Sequence, residues 1–163
     1  MAKQKDYERK KQEDNIKYLY FSRYLMIRYS VVIFLFTNLI WLLILIQYQK
    51  WLGIVFAGID TILLGMAAIE QLTKMHNRKA DVPLTRHYLM FQIIFNCLLA
   101  IIIFLPINDN FFPFITTSDT RYLVLGLLFG GILLAYVCER RIHNIRIGKD
   151  RYIKTIDTFK KVK

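Results

Sequence analysis

The sequence predicts an all-α integral membrane protein of four transmembrane helices, with both termini in the cytoplasm and an amphipathic helix at each end. Three observations predict it: four long apolar runs, the confinement of almost every Lys and Arg to segments on one side of those runs, and the lack of strict alternation that barrel strands would need. In lipid only helices and closed barrels satisfy their backbone groups, so the runs read as helices.

Residues 1–28 form a polar segment with Ile16, Leu19, Tyr20, Tyr24 and Ile27 at helical spacing, interleaved with Lys17, Arg23 and Arg28. That pattern suits an amphipathic helix lying at the membrane interface before it turns into the first span. Residues 29–49 then run 21 positions without a charge, and residues 51–73 are equally apolar apart from Asp60 and Glu70. A bilayer core about 30 Å thick needs roughly 20 residues at about 1.5 Å each, so both are spans. Glu70, four residues before Lys74, reads as an ion pair at headgroup level.

The third span is placed at about 88–107 and the fourth at 122–138, each free of charged side chains. Between them Pro106, Phe111, Phe112, Pro113 and Phe114 read as a short apolar lip dipping into the outer interface. Residues 139–163 form a basic cytoplasmic helix in which Ile142, Ile145, Tyr152, Ile156 and Phe159 share a face and Gly148 is the weak point. Its net charge of +6 suits anionic headgroups, with Arg140, Arg141, Arg146, Lys149 and Arg151 as the contacting residues.

Orientation follows from the basic residues. Of the 23 Lys and Arg, 21 lie in residues 1–28, 74–87 and 139–163, which the positive-inside bias assigns to the cytoplasm. The same distribution explains the net charge of +11 without nucleic acid, because the charge flanks spans instead of forming one binding face. Cys97 and Cys138 fall at different depths of separate spans, which speaks against a disulfide. His76, His87 and His143 lack metal-ligand spacing, so no metal and no cofactor is expected.

Counting inward from each expected boundary brings Asn38, Asp60, Asn96 and Gly130 to a common depth near the midplane. Asn38, Asp60 and Asn96 are therefore expected to form one intramembrane polar layer. Gly53, Ala57, Thr61 and Gly65 recur every four residues in the second span, and Gly126, Gly130 and Gly131 supply small residues to the fourth, all as helix-packing positions. An aspartate at mid-membrane costs about 2.5–3.5 kcal/mol on insertion scales, whereas one interhelical hydrogen bond returns about 0.6–2 kcal/mol. Asn38 and Asn96 offset that cost only if Asp60 carries its proton. Two roles follow for it, a polar clamp that sets helix register or a relay for protons or ions.

No phosphate-binding loop, nucleophile elbow, zinc-protease motif or dinucleotide fingerprint is present, and no catalytic residue is expected. The opening DYERKKQEDNIKYLYFSRYLMIRYS, running straight into the first span, resembles small four-span membrane proteins of Gram-positive bacteria. Some of those bear a label as a subunit of a cellobiose phosphotransferase system. Phosphotransfer would need a phosphorylatable His or Cys in a soluble domain, so the resemblance implies membrane company and not chemistry. Two function classes remain. One is a non-catalytic accessory, scaffold or regulatory subunit of a larger membrane complex, with a protein partner or a second copy as its mate. The other is a small oligomeric transporter or channel coupled through Asp60.

Overall fold

Neither Gly nor Pro occurs between residues 2 and 47, so nothing in that stretch breaks a helix. In the computed structural model, which describes residues 2–73 and 82–149, the stretch is one continuous helix, α1 (Ala2–Gln47). The expected turn from an interfacial helix into the first span is absent. α1 continues through residue 28 and is about 69 Å long at the helical rise. It ends in a three-residue turn in which Gln49 adopts φ 53° and the amides of Gln49 and Lys50 bond back to Ile46 and Leu45 at 3.0 and 3.1 Å. This is a left-handed helix stop made without glycine.

α2 (Trp51–Thr73) returns antiparallel to α1. Its buried residues are Gly53, Ala57, Asp60, Leu64, Ala67 and Gln71, spaced by fours and threes. Alternating steps of four and three repeat every seven residues, the pattern of two helices packed along a seam, and they depart from the expected four-residue ladder. Thr61 and Gly65 lie beside this seam, only half-buried, and Thr61 returns its hydroxyl to Ala57 O at 2.7 Å.

α3 (Pro83–Ile102) begins five residues earlier than expected. Proline at the first turn suits a helix start, and two polar side chains of that turn find partners. Arg86 pairs with Glu139 of the last helix at 3.4 Å, and His87 Nδ1 lies 2.7 Å from Pro83 O. Glu70 caps this end. Its carboxylate accepts from the amides of Leu84 at 3.2 Å and Thr85 at 2.7 Å, and from the Thr85 hydroxyl at 2.7 Å. An anion at a helix N-terminus satisfies otherwise unpaired amides, so Glu70 serves α3; its expected partner Lys74 lies outside the described residues.

The link after α3 makes a short 3-10 turn (Pro106–Asn110) and then folds down onto the bundle. Phe111 and Phe112 are buried, Trp41 Nε1 donates to Phe111 O at 2.9 Å, and the Trp41 and Phe112 rings stack at 5.8 Å. The expected lip at the lipid interface is therefore a cap on the helices. With its ring on Trp41, Phe112 is buried, and Phe111 is buried with its ring on Phe56, which leaves less apolar surface outside the bundle. Lys50 and Asp109 pair across the same end.

α4 (Ser118–Arg146) overshoots the expected span at both ends. Gly148, with φ 68°, terminates it: the amides of Gly148 and Lys149 bond to Ile145 O and Asn144 O at 3.3 and 3.1 Å. That left-handed position is where glycine costs least. The continuation of the C-terminal helix, including Arg151, Tyr152, Ile156 and Phe159, lies outside the described residues.

The result is a bundle of four helices, each long and apolar enough to cross a membrane. One end carries the start of α1, the end of α2, the start of α3 and the end of α4 and is called the basic end; the other is the cap end. At the basic end Arg23, 2% exposed, donates from Nη2 to Ile145 O at 2.9 Å and so places a cation at the C-terminus of α4.

Candidate functional site

Two apolar clusters fill the bundle. The basic-end cluster includes Phe34, Leu64, Leu89 and Ala135; the cap-end cluster includes Trp41, Ala57, Phe95 and Val124. On every helix the residues between those positions mark the boundary. They are Asn38 on α1, Asp60 on α2, Gln92 on α3 and the Gly130–Gly131 pair on α4. The buried polar side chains Asn38, Asp60 and Gln92 thus lie where the two clusters meet.

A hydrogen-bonded ladder runs along α3 at this level. Asn38 Nδ2 donates to Tyr88 Oη at 3.4 Å, Tyr88 Oη donates to Gln92 Oε1 at 2.5 Å, and Gln92 Nε2 donates to Asn96 Oδ1 at 3.0 Å. Positions 88, 92 and 96 stack on one helix face because each is about one turn from the next. Asn38, Gln92 and Asn96 are 6%, 3% and 5% exposed. Since α3 starts early, Gln92 occupies the depth expected of Asn96, and Asn96 is displaced about one turn toward the cap end. Tyr88, the first residue of the expected span, is a buried ladder member.

Asp60 is fully buried, with Tyr88 and Asn38 beside it, and neither of its oxygens has a hydrogen-bond partner among the described residues. The Tyr88 proton is committed to Gln92, so the hydroxyl has only acceptor capacity left to offer the carboxyl. A carboxylic acid can donate to that oxygen, whereas a carboxylate would repel it. Asp60 itself lies beside the ladder and makes no hydrogen bond to it.

Between α1 and α4 the bundle does not close. α4 buries Val124 and then nothing until Ala135, after which Cys138, Ile142 and Ile145 pack regularly. The helices touch at the basic end, where the Cys138 thiol donates to Ser30 Oγ at 3.1 Å and Arg141 Nη1 lies 3.3 Å from Met26 Sδ. Beyond that they splay around a groove of ≈ 500 Å³. Its floor is Gln92, Asn96 and Leu99 of α3, its α4 edge holds Gly126, Gly130 and Gly131, and Phe112 and Phe114 of the cap close one end. Asp60 is not part of its lining.

The glycines separate into two kinds. A Cβ on Gly53 would lie 2.3 Å from Asn110 O and 2.7 Å from Leu45, and one on Gly131 would lie 2.7 Å from Asn96 Nδ2. Those two are required by close approach. At Gly65, Gly126 and Gly130 a Cβ would meet nothing within 4 Å, so the expected packing role of these three fails within this chain. Among the expected headgroup contacts, Arg140, Arg146 and Lys149 are exposed, whereas Arg141 is half-buried against α1. A second, smaller concavity of ≈ 380 Å³ lies among Arg86, His143, Arg146 and Ile147 at the basic end.

Among the described residues no three His, Cys, Asp or Glu side chains come together as metal ligands, and both cysteines are free, Cys97 exposed and Cys138 buried. Comparison of the chain with protein-family models, with curated proteins and with solved structures found no match in any of the three.

Proposed function

We propose that this chain is a non-catalytic accessory or scaffold subunit of a larger membrane complex, inserted with its basic end, both termini and the 74–82 link in the cytoplasm. Asp60 acts as a neutral polar clamp that fixes the register of α1, α2 and α3. One observation carries the reading: Asp60 is fully buried in the helix seam and stands outside the groove, so its position suits holding helices together better than exchanging protons with water. The long basic start of α1 and the headgroup-facing arginines of α4 anchor the chain and present a cytoplasmic surface to a partner. Affinity purification in a mild detergent should recover a partner at fixed stoichiometry. Recovery of the isolated chain alone would remove the accessory role.

A transport reading draws on one feature, the ladder that leads from beside Asp60 through Tyr88 and Gln92 to the groove. It requires proton-dependent flux in liposomes that Asp60→Asn abolishes. Equal flux in the variant would leave the clamp as the role of Asp60.

A further inference from the structure

The groove between α1 and α4 has the composition of a ligand site and not of an incomplete helix contact. Its ≈ 500 Å³ lies within the roughly 300–1,000 Å³ typical of small-molecule pockets, and like them it combines apolar and aromatic walls with a few polar groups. Among the groups lining it, Asn96 Nδ2 makes no hydrogen bond with any described residue, although the side chain is more than nine-tenths buried. A donor left open in a lipid-facing cavity is costly unless something supplies its acceptor.

The shape restricts what that is. The lining runs from Ile33 to Ile44 on α1 and from Leu123 to Leu134 on α4, about 17 Å at the helical rise and so only about half of a bilayer core about 30 Å thick. Phe112 and Phe114 close one end, and at the other Phe34 approaches to within 3.6 Å of where a Gly131 Cβ would lie. A spanning helix from another protein needs a channel open at both ends, which this is not. No lining residue is charged, so an ionic headgroup has no counter-ion there. Its polar groups lie deep, with Asn38 nine residues inside the end of α1, where phospholipid headgroups do not reach.

The geometry points to a lateral site for one uncharged, lipid-soluble molecule with a carbonyl-bearing head and an apolar tail, of which isoprenoid quinones are the class that fits. The head lies among Trp41, Asn38 and Asn96, its carbonyl accepting from Asn96 Nδ2, and the tail leaves sideways across Gly126 and Gly130 into the lipid. This rests on the four helices being in a bilayer but not on the accessory role. Failure to capture a partner leaves it standing, and failure of the binding test leaves the accessory role standing.

The two tryptophans make the test direct. Trp41 lines the groove, whereas Trp51 is 79% exposed at the start of α2, so Trp51→Phe leaves a single reporter in the site. In nanodiscs, decylubiquinone should quench Trp41 fluorescence along a saturating curve. Gly126→Leu, which places a side chain in open groove space, and Asn96→Leu should each raise the half-saturating concentration at least tenfold. Gly126→Leu should do so with unchanged helix content and thermal midpoint, which guards against loss of fold in the Asn96 variant. Linear quenching that never saturates, or saturation that neither substitution changes, would overturn the site. Equal displacement by dodecane, which has a tail and no carbonyl, would overturn the ligand class. Energy transfer between labelled copies that is lost in Gly126→Leu would assign the groove to a second copy and overturn the proposal.

Discussion

The two faces of α1 show opposite solutions to one problem, the placing of polar side chains in an apolar bundle. Against α2 the helix is sealed. Gly53 and Ala57 admit close approach, Asp60 is fully covered, and the apolar rows on either side are continuous. Against α4 the same helix is sealed only toward the basic end, and farther on Asn38 and the neighbouring amides of α3 face an open groove. The contrast teaches that small residues do not by themselves bring helices together. Gly53 is in contact with the cap and with Leu45, whereas Gly126 has the same side chain and touches nothing.

The largest effect should come from filling the sealed side. Gly53→Leu forces a side chain into the backbone carbonyl of Asn110 and into Leu45, and should cost about 3 kcal/mol or more and detach the cap. Gly126→Leu, the same change on the open side, should leave the thermal midpoint in detergent close to that of the parent. Equal losses at the two positions would erase the distinction between the faces.

Next in size is the ladder. Tyr88→Phe removes the hydroxyl that accepts from Asn38 and donates to Gln92, leaving two buried amides short of a partner. A loss of about 1–3 kcal/mol in unfolding free energy is expected, because each orphaned group pays its desolvation without return. Asp60→Asn should be milder, within roughly 1 kcal/mol, because an amide is close in shape to a protonated carboxyl and can also donate to Tyr88 Oη. A collapse of the fold in Asp60→Asn, measured by thermal unfolding, would show that the seam depends on a charge at this position.

Much of this contrast was legible in the sequence and some of it was not, for identifiable reasons. The four spans were readable because lipid demands long uncharged runs. The start of α3 was misplaced because Arg86 was counted as a charge outside the membrane, when Glu139, 53 residues away in sequence, neutralises it. That shift puts Gln92 at the depth expected of Asn96 and carries Tyr88, the first residue of the expected span, into the bundle. In α2 the true stripe of fours and threes was present in the letters, with Asp60, Leu64, Ala67 and Gln71 following Ala57, but a run of small residues at fours overlaps it for its first two members. The inward fold of Phe111 and Phe112 had no local signal, because the hydrophobicity of a loop does not say which apolar surface it covers.

The smallest predicted effect tests the boundary between the two faces at single-residue resolution. Gly130 and Gly131 are neighbours on α4, yet only the second faces a side chain closely, Asn96 Nδ2 at 2.7 Å from the position of an added Cβ. Alanine at Gly130 should gain about 0.5–1 kcal/mol, because it lowers the backbone entropy lost on folding and has room. Alanine at Gly131 should lose stability despite the same helix-propensity gain, because Asn96 is held by Gln92 Nε2 and yields only by lengthening that bond. Thermal unfolding of the two variants under one detergent condition reads the signs. Opposite signs one residue apart place the close contact of α4 with α3 at position 131, and equal signs would mean that α4 approaches α3 more loosely than the Asn96 contact requires.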